Sequence, residues 1–170
     1  EFARKFGMGK KTGIELEGEA SGLLPTPENK RKIFTGEDWT LGDTFNASIG
    51  QGIDLATPLQ IAVMMSCVAG GGIYHQPYLV DKVLNNDGSV FEVRKHQEPY
   101  ALGVSQKTLE LIRQGLMGVT QPGGTASYFA NLPKAMAAKT GTAENPHGRD
   151  HGLFVAYGPV DAPELVVAAV

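Results

Sequence analysis

Ala135-Met136-Ala137-Ala138-Lys139-Thr140-Gly141-Thr142-Ala143 carries the strongest fold signal in this chain. A short apolar run closes on a Lys-Thr-Gly-Thr tetrapeptide, and a compact polar loop from Glu144 to Asp150 follows. Two more apolar runs come next, Leu153-Phe154-Val155-Ala156-Tyr157 and Leu165-Val166-Val167-Ala168-Ala169-Val170. Runs of this length joined by turn-rich loops predict an antiparallel meander. Residues 135–143 pair with 152–158, and 164–170 add beside the second strand.

Working outward, the clearest helix starts at Thr57. Thr57 is the N-cap, Pro58 the first helical residue, and Gln60 completes a capping box. Its body, Leu59 to Val68, is apolar nearly all round and is expected to be buried. Gly70-Gly71-Gly72 ends it. A hairpin follows, Tyr78 to Leu84 and Val90 to Val93 about a turn at Asn86-Asp87-Gly88. Ser105 caps a second helix with Leu109, Ile112 and Leu116 on one stripe. Gly123-Gly124-Thr125 reads as loop. Nearer the start, Ile14-Glu15-Leu16-Glu17 alternates as a short strand should. Ser21 to Asn29 reads as loop and Gly36 to Asp54 as turn-rich. Helices in the middle and a meander at the end give an α+β chain, with no βαβ alternation.

The chain has 170 residues, about one domain's worth, and 42% hydrophobic residues suffice for a core. The net charge of −3 argues against a nucleic-acid groove. The longest apolar run, Ile61 to Ala69, is far short of the roughly 20 residues a membrane span needs. No initiating Met or signal-peptide pattern opens the sequence. Glu1-Phe2-Ala3-Arg4 reads as mid-helix and Val170 as mid-strand, so both ends are expected to be cuts in a longer protein.

Each candidate motif competes with a plainer reading. The single Cys67 sits in the apolar helix and reads as a buried, inert thiol. His147 and His151 stand four apart, but Pro146 and Gly148 disfavour the helix on which that spacing suits a metal, and a loop shaped by Asn145-Pro146 is the favoured reading over a zinc site. No metal and no cofactor are expected. His75 and His96 flank the hairpin singly and read as surface residues. Gly7 to Thr12 fails the phosphate-loop pattern at two positions. Asn46-Ala47-Ser48 fits a glycosylation sequon, a common triplet of little weight.

Lys-Thr-Gly occurs twice, at Lys11-Thr12-Gly13 and Lys139-Thr140-Gly141. The first follows a glycine-rich turn and precedes acids. The second ends an apolar strand between small residues, where a peptide backbone can approach closely. The second is the functional candidate. A Lys-Thr-Gly on a strand is one of three motifs of penicillin-recognising serine enzymes. The other two, Ser-x-x-Lys and a Ser-x-Asn type element, are absent from these residues.

The wider pattern is more specific. Phe6-Gly7, Lys11-Thr12-Gly13-Ile14 and Gly22-Leu23-Leu24-Pro25 come first. Gly42-Asp43-Thr44, Ser48-Ile49-Gly50-Gln51-Gly52 and Thr57-Pro58-Leu59-Gln60 follow. Lys139-Thr140-Gly141-Thr142-Ala143 and Phe154-Val155-Ala156-Tyr157 close the series. In order and spacing this resembles the class B penicillin-binding proteins over essentially the whole chain, most like their elongation-type branch. The resemblance implies a serine β-lactamase/transpeptidase-like fold, a central antiparallel sheet flanked by helices. Residues 1–170 would be the C-terminal part of that transpeptidase domain, truncated at both ends and incomplete. The nucleophile would lie upstream of Glu1.

The implied reaction is D,D-transpeptidation through an acyl-serine. The implied partners are peptidoglycan stem peptides ending in D-Ala-D-Ala, β-lactam antibiotics and membrane-bound cell-wall synthesis proteins, with no nucleic acid. The implied location is the extracytoplasmic face of the bacterial inner membrane, on an anchor outside this chain. Lys139 would set a positive charge beside the catalytic hydroxyls. Thr140 would bind the terminal carboxylate, and Gly141 would leave room for the peptide. The Thr142 N–H would form half of an oxyanion hole. Strict alternation puts Lys139 and Thr140 on opposite faces, so both serve one site only along a strand edge. A β-lactamase, and a β-lactam sensor or inactive binding domain of the same fold, are the rival readings.

Overall fold

The computed structural model describes residues 2–145 and 147–170. Expectations that fall on Glu1 and Pro146 lie outside the described residues. In chain order the helices are α1 (Phe2–Lys5), α2 (Pro27–Ile33), α3 (Leu41–Ser48), α4 (Pro58–Ala69) and α5 (Gln106–Thr120). The strands are β1 (Ile73–Tyr74), β2 (Lys82–Leu84), β3 (Val90–Val93), β4 (Tyr100–Ala101), β5 (Ala137–Ala143), β6 (His151–Gly158) and β7 (Leu165–Ala169). A 3-10 turn spans Ser127–Phe129.

The meander forms as its sequence dictates. β5, β6 and β7 make an antiparallel sheet in that order, with Ala137 opposite Tyr157, Thr142 opposite Gly152 and Val155 opposite Ala168. α4 and α5 pack on one face of it. Met65 and Ala69 of α4 join Ala137, Val155 and Tyr157 in a core that Leu116, Met117, Val166 and Ala168 extend. On the other face, Leu132, Met136, Ala156, Leu165 and Val167 line an apolar groove of about 500 Å³. Among the described residues α4 and α5 cover one face of the sheet, and the 3-10 turn meets the other through Phe129 on Phe154.

α4 begins as expected. Thr57 accepts from the Gln60 N–H at 3.1 Å, and the Gln60 Oε1 accepts from the Thr57 N–H at 2.9 Å. Gln60 is 1% exposed, and its Nε2 also donates to the Lys10 and Ser21 carbonyls, each at 2.8 Å. A second cluster joins Val63 and Cys67 of α4 to Tyr74 and Leu102, with Tyr74 stacked on Tyr100 across the β1–β4 pair. Cys67 is fully buried, and burial pushes its thiol up to about 11.

Several expectations are corrected. Ile14–Glu17 is not a strand. The Glu19 carboxylate accepts from the Thr12 N–H, the Thr12 hydroxyl and the Gly13 N–H, curling the segment into a turn. The first Lys-Thr-Gly is thus a turn built on a carboxylate. Pro27 opens α2, because Thr26 caps it through the Asn29 N–H. Within the stretch read as turn-rich lies α3, opened by a Thr40–Asp43 capping box. The hairpin is shorter than read, pairing Lys82–Leu84 with Val90–Val93. On α5, Ile112 is exposed and Arg113 takes the inward position. Arg113 donates to the Val68 and Ala69 carbonyls at the end of α4. His75 is exposed, but His96 is half-buried, stacked on Tyr78 with centroids 3.9 Å apart.

Candidate active site

β5 has one neighbour among the described strands, β6, so its other side is an edge. In an antiparallel strand the N–H and C=O of one residue point the same way, and successive residues alternate sides. The parity on β5 is fixed by bonds at both sides. The Ala135 carbonyl accepts from the Val160 N–H on the β6 side. The Met136 carbonyl accepts from the Thr120 hydroxyl, and the Thr142 carbonyl from the Gln51 side chain, on the edge side. Lys139, Gly141 and Ala143 therefore turn their backbone groups to β6. Ala138, Thr140 and Thr142 turn theirs to the edge.

Side chains alternate in the other sense, face to face. Lys139 lies opposite Val155 on the helix-covered face, and Thr140 opposite Phe154 on the other. The Lys139 side chain nonetheless returns to the edge, where its Nζ donates to the Thr140 carbonyl. Thr140 reaches the same place, its hydroxyl 3.0 Å from that of Thr125. The loop after α5 holds Thr125 there, because Phe129 packs on Phe154 with centroids 5.4 Å apart. Gly141 presents no side chain, and its nearest neighbour on the core face is Leu153. Lys139, Gly141 and Thr142 are exposed and Thr140 is half-buried. The opposite-face conflict seen in the sequence is thus met by a folded-back lysine.

Two residues at this edge have no assigned role in the sequence reading. Thr125 reads there only as loop. Gln51 reads there only as part of a landmark. Its Nε2 donates to the Thr142 carbonyl at 3.1 Å, and its Oε1 accepts from the Glu144 N–H at 3.4 Å. The available signal was a glutamine between two glycines, both at positive φ (Gly50 at 73°, Gly52 at 83°), which thrust it out of the chain. Among the described residues no group of three or more His, Cys, Asp or Glu side chains converges as metal ligands. His151 starts β6 opposite Ala143, and the His147 N–H donates to the Asn145 side chain.

The family profile described as "Penicillin binding protein transpeptidase domain" matches residues 1–170. The chain belongs to the penicillin-binding protein transpeptidase family. Among curated relatives, peptidoglycan D,D-transpeptidase MrdA of Escherichia coli K12 is 36% identical, covering 100% of this chain and 29% of its own length. Among solved structures, penicillin-binding protein 2 of Pseudomonas aeruginosa, in complex with WCK 5153, superposes with a TM-score of 0.80 at 33% identity. That match covers 98% of this chain and 37% of the other. The complex of penicillin-binding protein 2 with MreC from Helicobacter pylori matches at 0.79 and 32% identity, over 97% and 29% of the two chains. Within the family the chain is similar to penicillin-binding protein 2 and spans less than a third of the MrdA relative's length. The fold is the mixed helix-and-sheet transpeptidase fold, in part. No helix of the described residues is long and apolar enough to cross a membrane.

Proposed function

We propose that this chain is the C-terminal part of the transpeptidase domain of a peptidoglycan D,D-transpeptidase, and that the edge of β5 is its substrate strand. The observation that carries this is the convergence of the Lys139 amine, the Thr140 hydroxyl and the edge-directed backbone of Thr140 and Thr142 on one unpaired strand edge.

An extended stem peptide adds to such an edge through main-chain hydrogen bonds. Its terminal carboxylate accepts from the Thr140 hydroxyl, and Gly141 leaves the approach clear. A serine from the upstream part of the domain attacks the carbonyl carbon of the penultimate D-Ala. The oxygen of that carbonyl gains negative charge in the tetrahedral state, and the Thr142 N–H donates to it. The C–N bond to the terminal D-Ala then breaks, and that residue leaves with a proton. A neighbouring stem's amine attacks the serine ester, forming a cross-link amide and returning the proton to the serine. Lys139 places positive charge beside these proton transfers. β-Lactams acylate the same serine because they present a strained carbonyl and a carboxylate in the stem terminus's places.

The parent protein is placed on the extracytoplasmic face of the inner membrane, with membrane-bound cell-wall synthesis partners. The relatives named D,D-transpeptidase and the relative solved with MreC support that reading.

The test is intact-mass spectrometry after incubation with a β-lactam. The 170-residue chain gains no adduct, because no Ser here has Lys three residues on. The parent protein gains one, and Lys139→Ala slows its acylation by roughly 10²-fold or more, as typical for a lost acid–base or electrostatic group. An adduct on the short chain, or an unchanged rate in Lys139→Ala, overturns the assignment.

A further inference from the structure

We propose that Gln51 is a positioning residue for acyl transfer, one that holds the Thr142 peptide in line and ends the open edge of β5. The inference rests on the reading of β5 given above and adds to it a residue 91 positions away in sequence.

The need for such a restraint is local. Where β5 passes Gly141 and Thr142 it is opposed by Leu153 and Gly152. Two glycines within two cross-strand pairs make a weak stretch of ladder, since glycine has no side chain to pack and the widest backbone freedom. Thr142 itself turns its N–H and C=O away from β6, so the ladder holds them only indirectly, through the Gly141 carbonyl and the Ala143 N–H of the two adjoining peptides. Beside two glycines that indirect hold is loose, and the Thr142 N–H is the donor on which the proposed chemistry depends.

Gln51 supplies the constraint from outside. Its amide donates to the Thr142 carbonyl and accepts from the Glu144 N–H. Those are the groups that one residue of a parallel neighbouring strand would engage, so a single side chain acts as a short strand partner. Holding the Thr142 carbonyl in the plane of the edge keeps the residue extended, and the Thr142 N–H then points out along the same edge. The clamp is itself anchored. The Gln51 N–H donates to the Asn46 carbonyl in the last turn of α3, at 2.9 Å. α3 is held to α2 by the Lys30–Asp43 ion pair at 2.7 Å.

The same bonds set a boundary. With the Thr142 carbonyl and the Glu144 N–H occupied, an added peptide can pair with β5 only up to the Thr142 N–H. Gln51 thereby fixes the register in which a peptide carbonyl meets that donor.

The experiment uses the intact parent protein and a fluorescent penicillin, with acylation rates followed against concentration to separate the binding constant from the acylation rate constant. Gln51→Glu keeps the side-chain length and the acceptor for Glu144, but loses the donor and sets a carboxylate against the Thr142 carbonyl. Gln51→Ala removes both bonds. Both variants are expected to lower the acylation rate constant by roughly tenfold to a hundredfold, the usual cost of a displaced reacting geometry. The binding constant and the thermal midpoint should stay near wild type. Wild-type protein that forms no acyl-enzyme sinks the proposed function itself. Wild type that acylates alongside an equally fast Gln51→Glu overturns only the clamp. So does a loss of rate in both variants that tracks a matching loss of folded protein.

Discussion

Replacing Gln60 by Leu tests how the first part of the chain is attached to α4. The side chain is 1% exposed and its amide makes three bonds, from the Thr57 N–H and to the Lys10 and Ser21 carbonyls. Leu fills much of the same space and makes none of them. Both carbonyls belong to exposed residues and can recover water, so the loss is set by net hydrogen-bond strength rather than by full burial of orphaned groups. At about 1 kcal/mol per bond, the three together are worth about 3 kcal/mol. Two of the bonds, about 2 kcal/mol, fall on the contact between α4 and residues 10–22, and the third on the first turn of α4; none falls on the sheet. Hydrogen exchange followed by mass spectrometry in the parent protein reads it locally. Peptides covering 8–24 should exchange about thirtyfold faster in Gln60→Leu, since 1.4 kcal/mol is a factor of ten. Peptides from β5 to β7 should not change. Unchanged exchange over 8–24 refutes the view that Gln60 is the tie, and equal acceleration everywhere refutes its local character.

Asp43 gives a pH prediction. The Lys30 amine, then the Thr40 hydroxyl and N–H, hold its carboxyl down at about 2. A pKa lowered by folding stabilises above the unfolded value, near pH 4, and the gain disappears as pH falls through the folded value. Protection of α2 and α3 should therefore fade between about pH 4 and 2 in the wild type. Asp43→Asn should be weaker at neutral pH and flat across that window; a parallel fade in both would remove Asp43 as the cause. Cys67, buried and with its thiol pushed up to about 11, should resist a thiol reagent at neutral pH until the protein is denatured. Stoichiometric labelling of native protein would contradict its place in the core.

The elements legible in the sequence were those with local signals that tertiary packing did not contradict. Thr57-Pro58 with Gln60 announced α4, and apolar runs around short loops announced β5 to β7. α3 was hidden by its glycines. Gly42 and Gly50 read as punctuation, although Thr40 and Asp43 spell a capping box. Ile14 to Glu17 alternates like a strand, but a single carboxylate at Glu19 outbids a ladder with no partner strand within reach. Ile112 and Arg113 exchanged places because Arg113 found unsatisfied helix-end carbonyls to cap. At the site, the Lys-Thr-Gly-Thr run was visible as a motif. Gln51 and Thr125 were not assigned, since their contacts to β5 join residues far apart in sequence and no local pattern encodes them.

The alternation of β5 has a consequence for how this site can vary. The groups directed to its edge at Thr142 are main-chain atoms, common to every amino acid but proline. An alanine scan leaves the Thr142 N–H in place, so a donor carried there is invisible to ordinary side-chain mutagenesis. Under the proposed function, a population under β-lactam selection would face the same limit: it could not delete the donor by most single codon changes, only re-aim it. Variation that weakens such a donor has to act on what surrounds the strand, so on that proposal substitutions beside β5 matter as much as those on it.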